Sequence, residues 1–331
     1  MPITDVDDLK AHLQTAIELE HATIPPYLCA LYSIPDGTNV IASALIRSVV
    51  MEEMLHMVLA ANLLNAIDGK PDLTHDKFVP AYPGYLPHSD DAFLVNLLPF
   101  GTEALDTFLK IERPAKAGAP PQGMNYATIA QFYAAIRDGF QRLGPSIFTG
   151  QRGKQIDGSR FYYNAGGEPI EVVDLPSALQ AIDEITEQGE GFDGTLYDND
   201  SQFGQVDELA HYFRFNEIRT GRRYVSTDSP HQPPTGPELL VDWSARHPMA
   251  PNPKASEYVN RPEIHRLMVE FNLRYTALLA TLDRAFNGKP GMLIEAVPIM
   301  YELKYRAQAL MAIPSGRGDG TTVGPSFEFT K

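Results

Sequence analysis

Residues 40–67, VIASALIRSVVMEEMLHMVLAANLLNAI, decide the fold. Apolar residues occupy almost every side of this stretch in helical projection, which predicts a helix buried at the centre of the molecule. Glu53 and His56 lie within it three residues apart, and therefore on one helical face. An ionised carboxylate is very costly to bury unless a partner or a metal compensates its charge. The stretch predicts either a buried Glu–His hydrogen bond or half of a metal site.

Two further pairs have the same spacing, Glu208/His211 and Glu18/His21. A dinuclear carboxylate site in a four-helix bundle takes one Glu from each of two helices and a Glu-x-x-His pair from each of the other two. A single pair favours a metal-free hydrogen bond as much as a metal. Two pairs, each preceded along the chain by a helix with additional glutamates, match the dinuclear pattern and favour a metal centre.

Apolar periodicity and capping signals predict the four bundle helices. The first spans about residues 4–32 and begins at Thr4 and Asp7, which are spaced like a capping box. Pro25-Pro26 should kink or break this helix, because the second proline removes a donor and clashes with the preceding turn. The other three are expected at about residues 39–68, 174–190 and 205–219, the middle one being capped by Asp174.

Further helices and several loops fill the rest of the sequence. The helices are expected at about residues 103–111, 126–143, 262–287 and 291–312. Residues 144–173 should form a loop with two short strands, FYYN and PIEVV. The loops at 69–102 and 220–260 are longer than connecting helices requires, and we expect them to cover a site. The pattern predicts one elaborated all-α domain over residues 1–331, a four-helix bundle with long loop insertions and additional C-terminal helices.

Helical facing selects the carboxylate that the first helix contributes. Glu20 has apolar residues one turn before it and one turn after it, so it should point into the bundle. Glu18 has mostly polar neighbours. Glu18 and His21 are therefore expected to form a solvated pair rather than a metal site.

The third bundle helix carries Glu184, Glu187 and Glu190 on one face. One of them suffices as a ligand, and the spacing alone leaves open which one it is. The other two would be solvated or would support the ligands. Further candidates for supporting the ligands or lining a pocket are Tyr27, Tyr212, Arg214 and Glu217.

Composition argues against several functional classes. The formal net charge of −15 disfavours nucleic acid or an anionic membrane as a partner, because both require a basic surface. The N-terminus has neither a basic start nor the apolar core of a secretory signal, so we expect a cytoplasmic protein. Cys29 is the single cysteine of the sequence, which excludes an internal disulfide and a thiolate cluster, and we expect it in the core.

Five segments together resemble a known family. They are LEHATIPPYLCALYSI (19–34), EEMLHMVLAANLLNAI (52–67), DLPSALQAIDEITEQGEG (174–191), ELAHYFRFNEI (208–218) and GPSFEF (324–329). They are similar to the ferritin-like domain of the iminophenyl-pyruvate dimer synthase group, whose members act in bisindole pathways such as violacein and rebeccamycin assembly. The resemblance implies a ferritin-like bundle, with these metal ligands: Glu20, Glu53, His56, Glu187, Glu208 and His211.

Carboxylate and imidazole ligands without a thiolate suit iron or manganese. The leading hypothesis is a non-haem dinuclear metal oxidase or oxygenase, with di-iron favoured over manganese and with no haem or nucleotide cofactor. Its partners would be dioxygen and a small, amino-acid-derived molecule, and a homodimer is one candidate assembly. Two alternatives stay open: an iron-binding or storage protein with ferroxidase chemistry, and a non-catalytic descendant that binds metal or ligand.

Overall fold

The computed structural model describes residues 2–150, 152–158, 166–191, 194–198 and 208–330. Within these ranges the chain is helical and has only isolated β-bridges, which confirms the all-α prediction. The helices are α1 Val6–Ser33, α2 Val40–Ala66, α3 Thr102–Ile111, α4 Ile129–Leu143, α5 Leu175–Glu190, α6 His211–Thr220, α7 Pro262–Phe286 and α8 Leu293–Met311. The predicted strand PIEVV, at 169–173, is irregular, and FYYN lies outside the described residues.

Helix α1 runs without interruption through Pro25-Pro26, so these prolines do not break it. Pro26 cannot donate to the carbonyl of Ala22, which is four residues earlier. The hydroxyl of Tyr82, in the loop after α2, donates to this carbonyl at 2.9 Å and replaces the missing bond. The helix begins after Asp5, whose side chain accepts from the N–H of Asp8, rather than at the expected Thr4.

Helix α2 is central, as its sequence predicted. It packs against α1, α5, α6 and α7, and its second half is buried on every side. Helix α5 begins as expected, with a capping box between Asp174 and Ser177. Helix α3 packs against α1 and α6, and α4 packs against α1 and α5, so these two short helices close the sides of the bundle.

Helix α6 begins at His211 and not near residue 205. Residues 208–210 are not helical: Leu209 forms an antiparallel bridge with Tyr197, and the N–H of Glu208 donates to Asp198. Residues 199–207 lie outside the described residues. Glu208 and His211 therefore do not share a helical face, because only the second of them is in a helix.

The two long loops pack against the end of α1 and against each other. Trp243 stacks on Phe100 with 5.0 Å between ring centroids. The N–H of His247 donates to the carbonyl of Ser33, and the N–H of Phe100 donates to the Ser33 hydroxyl.

Cys29 is buried in the core, as expected. In the described part of the chain, no helix combines the length and apolarity needed to cross a lipid bilayer.

Candidate metal centre

Five buried side chains form two overlapping groups that could each hold a cation. One group is Glu20, Glu53 and His56, and the other is Glu53, Glu112 and His211. In each group the candidate ligand atoms lie within 4.8 Å of one another, and no member is more than 6% exposed. Because Glu53 belongs to both groups, they describe two adjacent cation positions bridged by one carboxylate.

Four helices bring these side chains together. Glu20 comes from α1, where facing predicted that it points inward, and Glu53 and His56 come from α2. Glu112 directly follows the last residue of α3, and His211 is the first residue of α6. All five side chains therefore point from a helix or a helix end into the centre of the bundle.

The imidazole of His56 is oriented by an amide. Its Nε2 lies 2.9 Å from Oε1 of Gln188, and the Gln188 amide nitrogen donates to Glu184 at 3.0 Å. That second bond fixes the amide oxygen toward the ring, so Nε2–H of His56 is the donor. Nδ1 of His56 is then directed at Oε2 of Glu20, 3.4 Å away. This is the arrangement of a histidine ready to bind a metal through Nδ1.

The imidazole of His211 has the same orientation with a charged acceptor. Its Nε2 lies 2.8 Å from Oε2 of Glu52, and Nδ1 lies 3.0 Å from Oε1 of Glu53 and 3.6 Å from Oε2 of Glu112. Despite these short distances, Nδ1 makes no hydrogen bond of acceptable geometry with any described residue. Although burial opposes protonation, the contacts with Glu112, Glu52 and Glu53 raise the pKa of His211, and a metal bound at Nδ1 would take the place of the proton there.

Each carboxylate of the cluster accepts a hydrogen bond from a buried hydroxyl. Tyr133 donates to Oε1 of Glu20 at 2.5 Å, Thr23 donates to Oε2 of Glu53 at 2.9 Å, and Tyr27 donates to Oε1 of Glu112. In each case the other carboxylate oxygen is the one that faces a histidine nitrogen. Each of the five side chains thus has one polar atom that is hydrogen-bonded to a surrounding residue and another that is directed at the centre of the cluster.

The three carboxylates of the cluster are close enough to shift one another's pKa. Burial, together with the neighbouring carboxylates Glu112 and Glu20, raises the pKa of Glu53 to about 8. Ionised carboxylates crowded in a buried space repel each other, and a divalent cation would remove that repulsion. The donor set therefore fits a pair of cations, and nitrogen and oxygen donors without sulfur suit iron or manganese.

Glu52, next in sequence, has the opposite environment. Although burial opposes ionisation, the Arg214 guanidinium at 2.5 Å and the imidazole of His211 lower the pKa of Glu52 to about 2. Arg214 is itself buried and also contacts Asp198 and Glu208. Glu52 is thus a permanently charged anchor for His211 rather than a member of the cluster.

Two residues that the resemblance implied as ligands belong to neither group. The side chain of Glu208 is 56% exposed and pairs with Arg214 at 3.2 Å, because α6 begins three residues after it. Glu187 is half-buried on α5 and is not part of either group, although its Oε2 is shielded from solvent. The involvement of Glu187 and Glu208 in metal binding remains a prediction.

Sequence reasoning missed Glu112. It follows Leu105 by seven residues and Phe108 by four, and both are buried on α3. The facing rule that selected Glu20 selects Glu112 as well, once it is applied to this short helix. The Glu-x-x-His spacing could not find it, since no histidine accompanies it.

The residues expected to support the ligands divide into two sets. Tyr27, Arg214 and Glu184 support the cluster through the contacts given above. Glu190 instead accepts a hydrogen bond from the N–H of Ala115 at 2.7 Å. Two candidates turn away from the cluster. Tyr212 packs on Phe213, and Glu217 pairs with Arg223 at 2.6 Å.

His21 is buried and not solvated, which corrects the sequence-based expectation for the Glu18/His21 pair. Its Nε2 lies 2.5 Å from the hydroxyl of Tyr275, and its ring packs on Phe78. Burial lowers the pKa of His21 to about 3, so it is neutral near pH 7. Glu18 contacts His75 at 3.0 Å instead.

A surface cleft has Glu112 among its lining residues, although the Glu112 side chain itself is only 4% exposed. It has about 280 Å³ of empty space, open solvent included, and its walls come from the end of α3, the start of α4 and the end of α5. Its lining residues are Ile111, Glu112, Arg113, Ile129, Ala130, Ile185, Thr186, Gly189 and Glu190. None of them lies in 69–102 or 220–260, so the expectation that these loops cover the site is not met at this cleft.

Comparisons with known proteins agree with this architecture. Dichlorochromopyrrolate synthase of Lentzea aerocolonigenes is 27% identical, over 99% of this chain and 36% of that protein. The 2-imino-3-(indol-3-yl)propanoate dimerase of Chromobacterium violaceum is 28% identical, over 96% of this chain and 33% of that protein. The chain therefore spans about a third of the length of these relatives, and the resemblance to their group is confirmed.

The fold has a solved counterpart and a matching family model. A ferritin-like protein from Caulobacter vibrioides has a TM-score of 0.64 and 24% identity, and the match covers 100% of both chains. The family model described as Ferritin-like matches residues 13–220, which include α1 to α6 apart from the first turns of α1. On this evidence the chain belongs to the ferritin-like family.

Proposed function

We propose that the protein is a non-haem dinuclear metal oxidase or oxygenase that acts on a small organic molecule. The observation that carries this proposal is the pair of buried donor groups that share Glu53. A structural metal site needs one closed position, whereas two adjacent positions bridged by a carboxylate suit redox chemistry with dioxygen. Two iron or manganese ions bound there would supply electrons for the reduction of dioxygen.

In this proposal the protein contributes position and electrostatics. Glu20 and His56 would hold one metal ion and Glu112 and His211 the other, and Glu53, which belongs to both groups, would contribute to each. The hydroxyls of Tyr133, Thr23 and Tyr27 keep the outer carboxylate oxygens fixed, so that the ligands need not reorganise when metal binds. Burial keeps bulk water away from the reacting atoms.

The substrate class is supported by the two curated relatives. One is named as a synthase of dichlorochromopyrrolate, and the other as a dimerase of 2-imino-3-(indol-3-yl)propanoate. Both names describe small molecules with indole-derived or pyrrole carboxylate skeletons. We propose an amino-acid-derived substrate for this chain as well.

Metal analysis followed by anaerobic reduction and exposure to dioxygen tests the proposal. We expect two iron ions per chain and consumption of dioxygen when they are reduced. The Glu53→Gln variant should lose both ions, because the bridging charge is gone, while Glu18→Gln serves as the matched control outside the cluster. Uptake of many ions per chain would indicate iron storage instead. Stoichiometric metal that never reacts with dioxygen would indicate a non-catalytic descendant.

A further inference from the structure

Helix α8 has an apolar stripe on the side that faces solvent. Ile294, Tyr301 and Tyr305 are each more than half exposed, and Pro298, in line with them, is exposed as well. The side chains that α8 buries in the core lie on the opposite side of the helix, and include Ala296, Leu303, Ala307 and Leu310. Single exposed apolar residues are ordinary, but a continuous line of them marks an interaction surface.

The spacing of these residues indicates what the stripe contacts. Ile294, Pro298, Tyr301 and Tyr305 follow one another at intervals of four, three and four residues. This is the repeat with which one helix packs along another in a coiled coil. From Ile294 to Tyr305 the stripe is about 17 Å long, at the usual rise per residue. An α-helix of similar length is therefore the shape that fits it.

The charge around the stripe favours a second copy of this chain as the source of that helix. Residues 262–311, which include α7 and α8, carry six basic and five acidic side chains, a net charge of +1, whereas the whole chain carries −15. Arg306 pairs with Glu270 at 3.2 Å and with Glu302 at 2.7 Å, and Arg274 also contacts Glu302. Since these charges are paired within the chain, the face has little with which to attract a charged partner. Two acidic chains repel each other least where their surfaces are neutral.

The stripe is also complementary to itself. If two α8 helices pair antiparallel about a two-fold axis between Pro298 and Tyr301, Pro298 meets Tyr301 of the second copy, and Ile294 meets Tyr305 of the second copy. Each contact places a large ring beside a smaller side chain, and each occurs twice, as a two-fold interface requires. Leu273, half-exposed on α7, widens the face. A contact of this length is smaller than a standard interface, which suits a weak dimer with a micromolar dissociation constant.

We propose that the protein is a homodimer in which the exposed stripe of α8 pairs, antiparallel, with the same stripe of a second copy. This inference goes beyond the proposed function, because it makes no use of the metal centre or of the reaction. A failed search for dimers would leave the metal centre untouched, and a failed metal assay would leave the dimer untouched.

Sedimentation velocity of the full chain over a series of concentrations tests this pairing. We expect wild type to dimerise at micromolar concentrations. Tyr301→Glu should weaken the dimer at least about tenfold, because dimerisation would bury two carboxylates beside the two-fold axis. Tyr85→Glu is the matched control and should dimerise like wild type. It replaces another exposed tyrosine, in the loop 69–102, and adds the same charge to the chain without changing the stripe.

Mixing opposite charges tests the antiparallel arrangement. Tyr301→Lys alone should also weaken the dimer, whereas an equal mixture of Tyr301→Glu and Tyr301→Lys should dimerise, because the two-fold axis brings position 301 of both copies together. Should circular dichroism show Tyr301→Glu to be unfolded, Tyr305→Glu takes its place and should weaken the dimer likewise. A wild type that stays monomeric, an assembly larger than a dimer, or a dimer that survives these Glu substitutions would overturn the interface. A mixture that stays monomeric would overturn the antiparallel arrangement.

Discussion

At the scale of single residues, neighbours in sequence have different electrostatic roles. Glu52 and Glu53 are both buried, but Glu52 faces Arg214 and Glu53 faces other carboxylates. Removing one partner of a buried ion pair leaves the other charge uncompensated, whereas removing one of several crowded carboxylates relieves repulsion. The two glutamates should therefore respond oppositely to the same substitution.

Glu52→Gln and Glu53→Gln test this difference in the metal-free protein. Glu52→Gln should lower the free energy of unfolding by on the order of 2–3 kcal/mol, because Arg214 loses its closest ion-pair partner. Glu53→Gln should not lower it at pH 8, where the neutral amide replaces a carboxylate that burial and its neighbours disfavour. Urea unfolding of both variants measures the contrast. Equal losses would show that the charge of Glu53 is compensated by the protein.

Three histidine variants separate metal binding from packing. His56→Ala and His211→Ala should each reduce the metal content, since each removes a nitrogen donor from one of the two groups. His21→Ala should leave the metal content unchanged and lower the melting temperature, because His21 contacts Phe78 and Tyr275 in the core. Elemental analysis and thermal unfolding of the purified variants check both effects. Loss of metal in His21→Ala would contradict the assignment.

At the scale of elements, α1 is a helix completed by a distant loop. Pro26 leaves the carbonyl of Ala22 without a helical donor, and Tyr82 supplies the missing hydrogen bond. Residues Glu20 and Thr23 lie in the same turns, so this repair also holds part of the metal centre in place. A proline pair that would interrupt an isolated helix is thus tolerated here through tertiary structure.

Tyr82→Phe should cost about 1–2 kcal/mol of unfolding free energy, because it leaves a buried carbonyl unsatisfied. Pro26→Ala restores a helical donor to the same carbonyl. In the double variant the loss caused by Tyr82→Phe should shrink, and a double-mutant cycle from urea unfolding measures this coupling. Strict additivity would show that Tyr82 stabilises α1 through packing alone.

The α7–α8 contact contributes a pH-dependent stability. Hydrogen bonds and ion pairs from Arg306 and Arg274 lower the pKa of Glu302 despite some desolvation. This contribution is present above the unfolded pKa, about 4.3, and is lost as pH falls through the lower folded-state pKa. Glu302→Gln should therefore lower the melting temperature at pH 7, by the equivalent of up to about 1 kcal/mol for a pair near the surface. The difference should shrink below about pH 3, and an unchanged difference would rule out ionisation as its source.

At the scale of the whole molecule, sequence periodicity predicted the helices well and the centre only in part. The central burial of α2 and the inward direction of Glu20 follow from neighbours within one helix. The start of α6 does not, because it depends on contacts with a distant segment, and Glu112 was missed although its neighbours within α3 indicate its inward direction. The bridge between Tyr197 and Leu209 keeps residues 208–210 out of the helix, and no local sequence pattern predicts this bridge.

Removal of metal should leave the fold intact. The core is a continuous apolar cluster that runs through all of α1 to α8, so the helices do not depend on a cation for their contacts. Chelation should preserve the far-ultraviolet circular dichroism spectrum and lower the melting temperature, since bound metal stabilises the native state by mass action. Loss of most helical signal would show that folding requires the metal.

The different acceptors of the two imidazoles have a consequence for the electronic symmetry of the centre. His56 donates its Nε2–H to the neutral amide of Gln188, and His211 donates to the carboxylate of Glu52. A carboxylate acceptor makes an imidazole more basic and a stronger electron donor. Two chemically identical ions would therefore become inequivalent: the one beside His211 would be the more electron-rich and would fill first during stepwise loading. The ion held by Glu112 and His211 would therefore be the better electron donor of the two.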